Sequence, residues 1–531
     1  MDRSKDKKFV VTTPLYYVNG VPHVGSAYTT MNADALVRWQ RLQGKPALLI
    51  TGTDEHGQKI ERTAQDNNLP PQEHCDRIVE SFQDLWQKLN IQYDRFSRTT
   101  APKHEAIVKE FFERVWAKDD IYLDRQQGWY CVSCEEFKEE RELTEDKCCQ
   151  IHPNKKAEWR DEENYFFRLS KYQQQLEAIY QENPDFIQPA TRRNEVLNFV
   201  EQGLKDFSIS RVNLEWGIPL PTDPKHTIYV WFDALLGYIT ALLEPEQDPT
   251  LANALADSWP ADLHLIGKDI LRFHAVYWPA MLLSAELPIP KKVFGHGFLT
   301  KDGLKMGKSL GNTLDPFDLL DRYSSDAVRY YFLRGIELGK DGDFNETRFV
   351  DVLNKDLAKN LGNLLNRTLG MLKKYCQGNC PSLTKSDYPK DHPLLIVGTT
   401  LTHKVTIAYE NLQFKQACEA ILELANASNK YIDDSAPWVL FKAGKQSEIE
   451  SVMYAVLESI RLCAYLLSPI VPNLSNDIYD QLGFTIDFNA LPQKESQANF
   501  AKHSQWGELT ANQNLNKARP VFTQLELSSE L

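Results

Sequence analysis

The chain has 531 residues, too many for one hydrophobic core, so roughly two to four domains are expected. With 42% hydrophobic and 25% charged residues and no apolar run of membrane-span length, the composition excludes a membrane-spanning or natively disordered chain. A net charge of −13 argues against a protein that coats nucleic acid, yet permits a local basic face that holds a folded RNA.

The first residues, "MDRSKDKKFVVTT", are charged and lack the apolar core of a signal peptide, so a cytoplasmic protein is expected. "KFVVTT", residues 8–13, reads as a buried strand. A helical pattern runs from Gly25 to Leu42, closed by Gly44 and Pro46, and the strand "ALLITGTDEHG" follows. This is a βαβ unit, whose ligands sit at the carboxyl ends of its strands, where His23 and Asp54 fall. His23 with the turn "HVGS" reads alone as an ordinary helix start. Nine cysteines include one tight group, "CVSCEEFKEERELTEDKCCQIH". Cys131-x2-Cys134 and Cys149-x2-His152 form two matched knuckles of thiolate and imidazole that close a tetrahedron around one structural zinc. Cys148 competes with Cys149, and the repeated x2 spacing favours Cys149. The alternative is a chance cluster with one oxidised pair.

The strand-then-loop pattern resumes at "HTIYVWFDALLGYITALL", "DLHLIGKDILRFHAVYWPAML" and "KKVFGHGFL". A parallel sheet split by an insertion over residues 120–210 is therefore expected. "GFLTKDGLKMGKSLGN" carries an Asp-Gly turn, then Lys305 and Lys308 around Gly307. By itself this is a solvated lysine loop. Paired with the His23 turn, it suits a triphosphate: helix N–H groups and His23 on the α- and β-phosphates, mobile lysines on the leaving pyrophosphate. Beyond Asn345 helical periodicity dominates to about residue 480. Leu353, Leu357, Leu361, Leu365 and Leu369 recur at steps of four, with Lys355, Lys359, Asn363 and Arg367 offset by two on the opposite face. "QKESQANFAKHSQ" is expected to loop.

"HVGS" and "KMGKS" resemble the two signatures of class I aminoacyl-tRNA synthetases. "TTPLYYVNGVPHVGSAYTT", "TGTDEHG", the cysteine knuckle, "VWFDALLGY", "GKDILRFHAVYWPAML", "NLGNLLNR" and "APW" are similar, in order, to the methionyl-tRNA synthetase family, over nearly the whole chain. The resemblance implies an α/β fold with a Rossmann-like parallel-sheet catalytic domain in two halves (1–119 and 211–300). The zinc-knuckle insertion (120–210) splits it, and a lysine-loop and stem-contact region (301–347) and an α-helical anticodon-binding bundle (348–531) follow. It implies methionine activation with ATP and Mg2+, then transfer to tRNA(Met), initiator tRNA included. Catalysis would fall to His23, Lys305 and Lys308, and ATP binding to these with Gly25, Ser26, Gly267 and Asp269. Methionine would meet Asp54 at its ammonium group. Its side chain would meet Leu15, Tyr17, Trp231, Ala234, Leu235, Tyr238, Ile270, His274 and Trp278, whose rings suit a thioether. Periodicity alone makes Trp231, Ile270 and Trp278 core residues. Trp438, Asn354 and Arg367 would read the anticodon, Trp438 by stacking.

Two positions depart from the family pattern. Ser26 stands where a second histidine is usual, and Gly307 where a serine is usual. The chain ends after "NKARPVFTQLELSSEL" with none of the C-terminal domain that dimerises some relatives, so a monomer is expected. Leucyl, isoleucyl and valyl synthetases carry a larger editing insertion. A simpler nucleotidyltransferase needs neither knuckle nor helical tail. A zinc-containing RNA-binding protein without catalysis differs in lacking amino-acid-dependent pyrophosphate exchange.

Overall fold

The computed structural model describes residues 7–150, 152–212, 214–306, 312–490 and 493–527. The chain divides into two compact units: Met1–Ala33, Leu48–Gln87 and Gln92–His296 form the first, and Asp34–Ala47, Lys88–Ile91 and Gly297–Leu531 the second.

The first unit is built on six strands: β1 (Phe9–Tyr17), β2 (Ala47–Asp54), β3 (Arg95–Arg98), β4 (Ile187–Gln188), β5 (Leu263–Gly267) and β6 (Val293–His296). Their spatial order is β3-β2-β1-β5-β6-β4. The pairs β1–β5, β5–β6, β6–β4 and β2–β3 run parallel. Every residue of β2 is buried, which is why its first half, Ala47–Ile50, is continuously apolar rather than alternating. The helix α1 (Val24–Leu42) follows β1, close to the expected span. β1 itself is longer than "KFVVTT" and runs on to Tyr17, carrying Leu15 and Tyr17 to its carboxyl end. From β1 the chain proceeds to β2 and β3 on one side, and β5 and β6 lie on the other. The order therefore reverses between β1 and β5, and crevices at such reversals are where open α/β sheets bind ligands.

Within residues 120–210, the segments Ile121–Cys131, Glu136–Lys138, Glu158–Phe167 and Phe207–Ser208 make a separate four-stranded antiparallel sheet. The span is not wholly an appendage, however. Ile187–Gln188 is the edge strand of the main sheet, and Leu176, Tyr180, Val196 and Val200 join Val10 and Ile266 in one core.

In the second unit, Leu299–Lys301 and Leu304–Lys305 form the expected Asp-Gly hairpin. Asp302 (φ 52°) and Gly303 (φ 76°) both lie in the left-handed region, as a type I′ turn requires. Helices Glu346–Leu353, Asn354–Gly362 and Asn363–Tyr375 run on without a break. Leu353, Leu357, Leu361, Leu365 and Leu369 are all buried. Steps of four overrun an α-helical turn by about 40° each, which would carry a fifth leucine to the far face. The Asn354–Gly362 stretch is π-helical, and its wider turns keep the leucines in one row. "QKESQANFAKHSQ" departs from expectation: Gln493–His503 is a helix. The chain after it is held by a buried pair, Glu458 and Arg461. Arg461 donates to the His503 carbonyl at 2.6 Å, and Glu458 accepts the Gly507 N–H at 2.7 Å.

Candidate active site, metal knuckle and helical face

In the first unit the expected site residues gather around the sheet reversal. His23 and α1 follow β1, Asp54 ends β2, and Gly267 ends β5 opposite His296 of β6. The His23 turn has a definite proton arrangement. Its Nδ1 accepts the backbone N–H of Gly25 at 3.0 Å and of Ser26 at 3.3 Å. In the neutral ring the proton therefore sits on Nε2, which makes that atom a donor. Gly25 is needed because a Cβ there would lie 2.9 Å from the imidazole. Two expectations are corrected. The Gly25 and Ser26 N–H groups are spent on the histidine rather than left for phosphates. Ser26, 2% exposed, turns its hydroxyl to the His23 backbone, accepting at 3.1 Å and donating at 2.7 Å, so it offers nothing outward. Asp269 folds its carboxylate over Gly267, where a Cβ would meet it at 2.4 Å.

Asp54 is buried, and its Oδ1 has no hydrogen-bond partner among the described residues. Burial, with Asp233, Glu135 and Glu55 nearby, pushes its carboxyl well above the usual range. An unpartnered carboxylate oxygen is costly unless a cation joins it, and a ligand ammonium is such a cation. The loop carrying Asp54 is fixed by Asp233, which accepts from His56 Nδ1 at 2.7 Å and His104 Nε2 at 2.5 Å. Burial opposes ionisation of Asp233, but these two histidines prevail and hold its carboxyl down at about 2.

Leu15, Trp231 and Ile270 are half-buried against the core, as pocket walls should be, and Trp231 stacks on Phe273 with centroids 3.8 Å apart. Leu235 and Trp278 belong to the core, and Ala234 is buried. Trp278 donates its indole N–H to His264 Nε2 at 3.3 Å, so it underlies the pocket rather than lining it. His274 sits in a π-helical turn, Phe273–Tyr277, a geometry that recurs at functional sites. Its Nδ1 lies 3.0 Å from the Ile270 carbonyl and its Nε2 2.7 Å from the Tyr238 hydroxyl. A carbonyl only accepts, so Nδ1 carries the proton and Tyr238 donates to Nε2. Burial lowers His274 to about 4 and His264 well below its ordinary 6.5, so both rings are neutral at pH 7. Sequence reasoning missed His264, Phe273, Asp233 and Glu135. Only "FDALLGY" and "RFHAVY" hinted at two of them.

In the insertion, the Sγ atoms of Cys131, Cys134 and Cys149 all lie within 4.8 Å of one another, and none is in a disulfide. Cys134 and Cys149 are 3.6 Å apart, close to the roughly 3.8 Å between thiolates on a tetrahedral zinc. Cys148 instead lies near the Asp146 carbonyl at 4.0 Å. The backbone of His152 pairs with Cys149, and its side chain lies outside the described residues. The cluster fits a metal ion.

In the second unit Lys305 is exposed at the end of the hairpin and accepts at its carbonyl from Asn312 at 3.1 Å. Gly307 and Lys308 lie outside the described residues. Trp438 is 41% exposed on a short helix, Pro437–Lys442, with Val439 and Phe441 also exposed beside it. Arg367 pairs with Asp433 at 2.7 Å. Asn354 is corrected: it is 8% exposed, and its amide bonds both the carbonyl (2.8 Å) and the N–H (2.7 Å) of Leu525. It anchors the C-terminal segment, and that places its amide in the fold's own hydrogen bonding. No helix among the described residues is long and apolar enough to cross a membrane.

Comparison with known proteins agrees with this geometry. The family model "tRNA synthetases class I (M)" matches residues 9–155 and 142–369, and "Anticodon-binding domain of tRNA ligase" matches 395–526. A methionine–tRNA ligase of Synechocystis sp. is 68% identical over 98% of both chains. The chloroplastic/mitochondrial methionine–tRNA ligase of Arabidopsis thaliana is 54% identical, over 98% of this chain and 84% of its own. Mycobacterium tuberculosis methionyl-tRNA synthetase in complex with methionyl-adenylate superposes with a TM-score of 0.90 at 40% identity, covering 97% of this chain and 99% of that one.

Proposed function

This chain belongs to the methionyl-tRNA synthetase family of class I, and from that premise we propose how its residues divide the work. The protein is a methionine–tRNA ligase. It activates methionine with ATP to methionyl-adenylate and pyrophosphate, then transfers methionine to the terminal adenosine of tRNA.

Asp54 takes the methionine ammonium group, and its unpartnered buried Oδ1 is the observation that carries this reading. Leu15, Tyr17, Trp231 and Ile270 wall the side chain, and Tyr238 with His274 stands at its polar end. Both rings of the His264–His274 pair are neutral, so the pocket presents the thioether with polarisable surfaces and no charge. A hydrocarbon side chain forfeits the sulfur contacts. Held by Asp54, the substrate turns its carboxylate toward the α-phosphorus of ATP. A carboxylate oxygen–phosphorus bond forms as the bond to the β-phosphate oxygen breaks. His23 Nε2–H donates to the phosphate oxygen on which charge builds, a role its tautomer permits. Lys305 and Lys308 neutralise the departing pyrophosphate. Magnesium, when bound with ATP, neutralises triphosphate charge. In the second step a ribose hydroxyl of the terminal adenosine attacks the activated carbonyl carbon and AMP leaves. Gly25 serves by leaving room for the His23 ring, Ser26 by fixing the turn, and Gly267 with Asp269 by shaping the nucleotide side.

Cys131, Cys134, Cys149 and His152 hold one zinc, which staples the insertion. Trp438 stacks on an anticodon base of tRNA(Met), the initiator species included, and Arg367 supports that face. The reading also makes the protein a cytoplasmic monomer, which sedimentation checks. Methionine-dependent exchange of pyrophosphate into ATP tests the chemistry. Lys308→Ala should lower its rate far more than it changes methionine affinity, and equal losses in both would refute the lysine's role.

A further inference from the structure

We propose that Glu135, the residue after the ligand candidate Cys134, is a positioning residue that fixes Tyr17 in the methionine pocket. The inference rests on the pocket reading above. Glu135 belongs to the insertion by sequence, yet its side chain is buried and leaves the knuckle. Its Oε1 accepts from the Tyr17 hydroxyl at 2.7 Å and from the Lys59 backbone N–H at 2.8 Å. Both donors flank the segment that carries Asp54. The meeting point is built at a cost to two backbones. Glu135 has φ +55°, a left-handed conformation that residues with a Cβ rarely adopt. Gly57 has φ +110°, and a Cβ on it would lie 2.7 Å from both Glu135 Oε1 and the Tyr17 hydroxyl. The Lys59 ammonium group lies 5.4 Å from the centre of the Tyr17 ring. Tyr17 is thus gripped at its tip by the residue next to a metal-ligand candidate, and the ring cannot swing about its Cα–Cβ bond without breaking a hydrogen bond to a buried acceptor.

A residue that only anchored the knuckle would act through metal retention and folding. A positioning residue acts through the Tyr17 hydroxyl, and both hydrogen bonds fall on one oxygen, which a glutamine amide can supply. The test uses full-length, metal-loaded protein, with methionine Kd from equilibrium dialysis, the KM of ATP in exchange, and metal content. Glu135→Ala should raise the methionine Kd about tenfold, with the ATP KM within about twofold and the metal retained. Glu135→Gln should stay within about threefold of the parent. Tyr17→Phe should match Glu135→Ala, and the double variant should add less than about twofold to either. Additive losses, a Gln variant as weak as the Ala variant, or metal loss in Glu135→Ala would each overturn the proposal. Should Glu135→Ala not fold, Tyr17→Phe decides: a tenfold loss supports the proposal and an unchanged Kd overturns it. Asp54→Asn separates the layers. If it binds methionine normally, the pocket reading fails and this inference with it. If it is weakened while the Tyr17 and Glu135 variants are not, only this inference fails.

Discussion

The pocket proposed for methionine and the Trp438 face proposed for the anticodon are built on opposite physics. The pocket's polar groups are buried and their protons are assigned: Trp278 donates to His264, Tyr238 to His274, and His274 to the Ile270 carbonyl. Asp54 keeps an unanswered acceptor among the described residues. The helical face is exposed. Trp438, Val439 and Phe441 carry open apolar area, and Arg367 pairs with a surface carboxylate, Asp433. A site that must tell one small amino acid from another needs buried polar groups, because a wrong ligand then leaves them unpaired. A site that meets a large RNA can spread its selection over many contacts and needs only ring area to stack on.

The contrast can be broken most severely at Asp54. Asp54→Asn removes the ammonium's counter-charge in a buried setting and should cost about 3–5 kcal/mol, or roughly two to four powers of ten in methionine-dependent exchange. A loss below tenfold would show that the ammonium is held elsewhere. Next is Glu458→Ala, which strands the buried Arg461 and frees the 503–509 segment. It should lower unfolding stability by about 3–5 kcal/mol in denaturant melts, while the methionine pocket, which it does not touch, keeps its affinity until unfolding. The metal knuckle comes third. Cys149→Ser should release zinc, measured by metal analysis, and Cys148→Ser should retain it, and the reverse would show that the wrong neighbour was chosen.

Acid sharpens the same contrast more gently. Burial holds His274 near 4 against an ordinary 6.5. The unfolded chain therefore takes up a proton that the folded one refuses, so stability is present above about pH 6.5 and is lost as pH falls toward 4. His274→Gln should flatten that part of the stability–pH curve. An unchanged slope would mean the ring is protonated where it lies.

Features set by neighbours in sequence were legible, and features set by distant partners were not. The βαβ start, the Asp-Gly hairpin and the buried leucine row follow from local period and turn chemistry. The cysteine choice followed from spacing. Asn354 was misread because its partner, Leu525, lies 171 residues away and periodicity carries no trace of it. Gln493–His503 looked like a loop because its composition is polar, and helices are recognised by an apolar stripe that this one barely has. The helix start after His23 was legible, but the use of its N–H groups was not, since the folded turn brings Nδ1 onto both of them. Glu135 sits among six acidic and basic neighbours in "CEEFKEERE", where nothing local marks one glutamate as buried.

The most direct test of two separate recognition sites is one variant read by two assays. Trp438→Ala should lower tRNA charging by about ten- to a hundredfold, the worth of a lost base stack of roughly 1–3 kcal/mol, while methionine-dependent pyrophosphate exchange stays within about twofold of the parent. A fall in exchange equal to the fall in charging, or charging that survives untouched, would contradict the account.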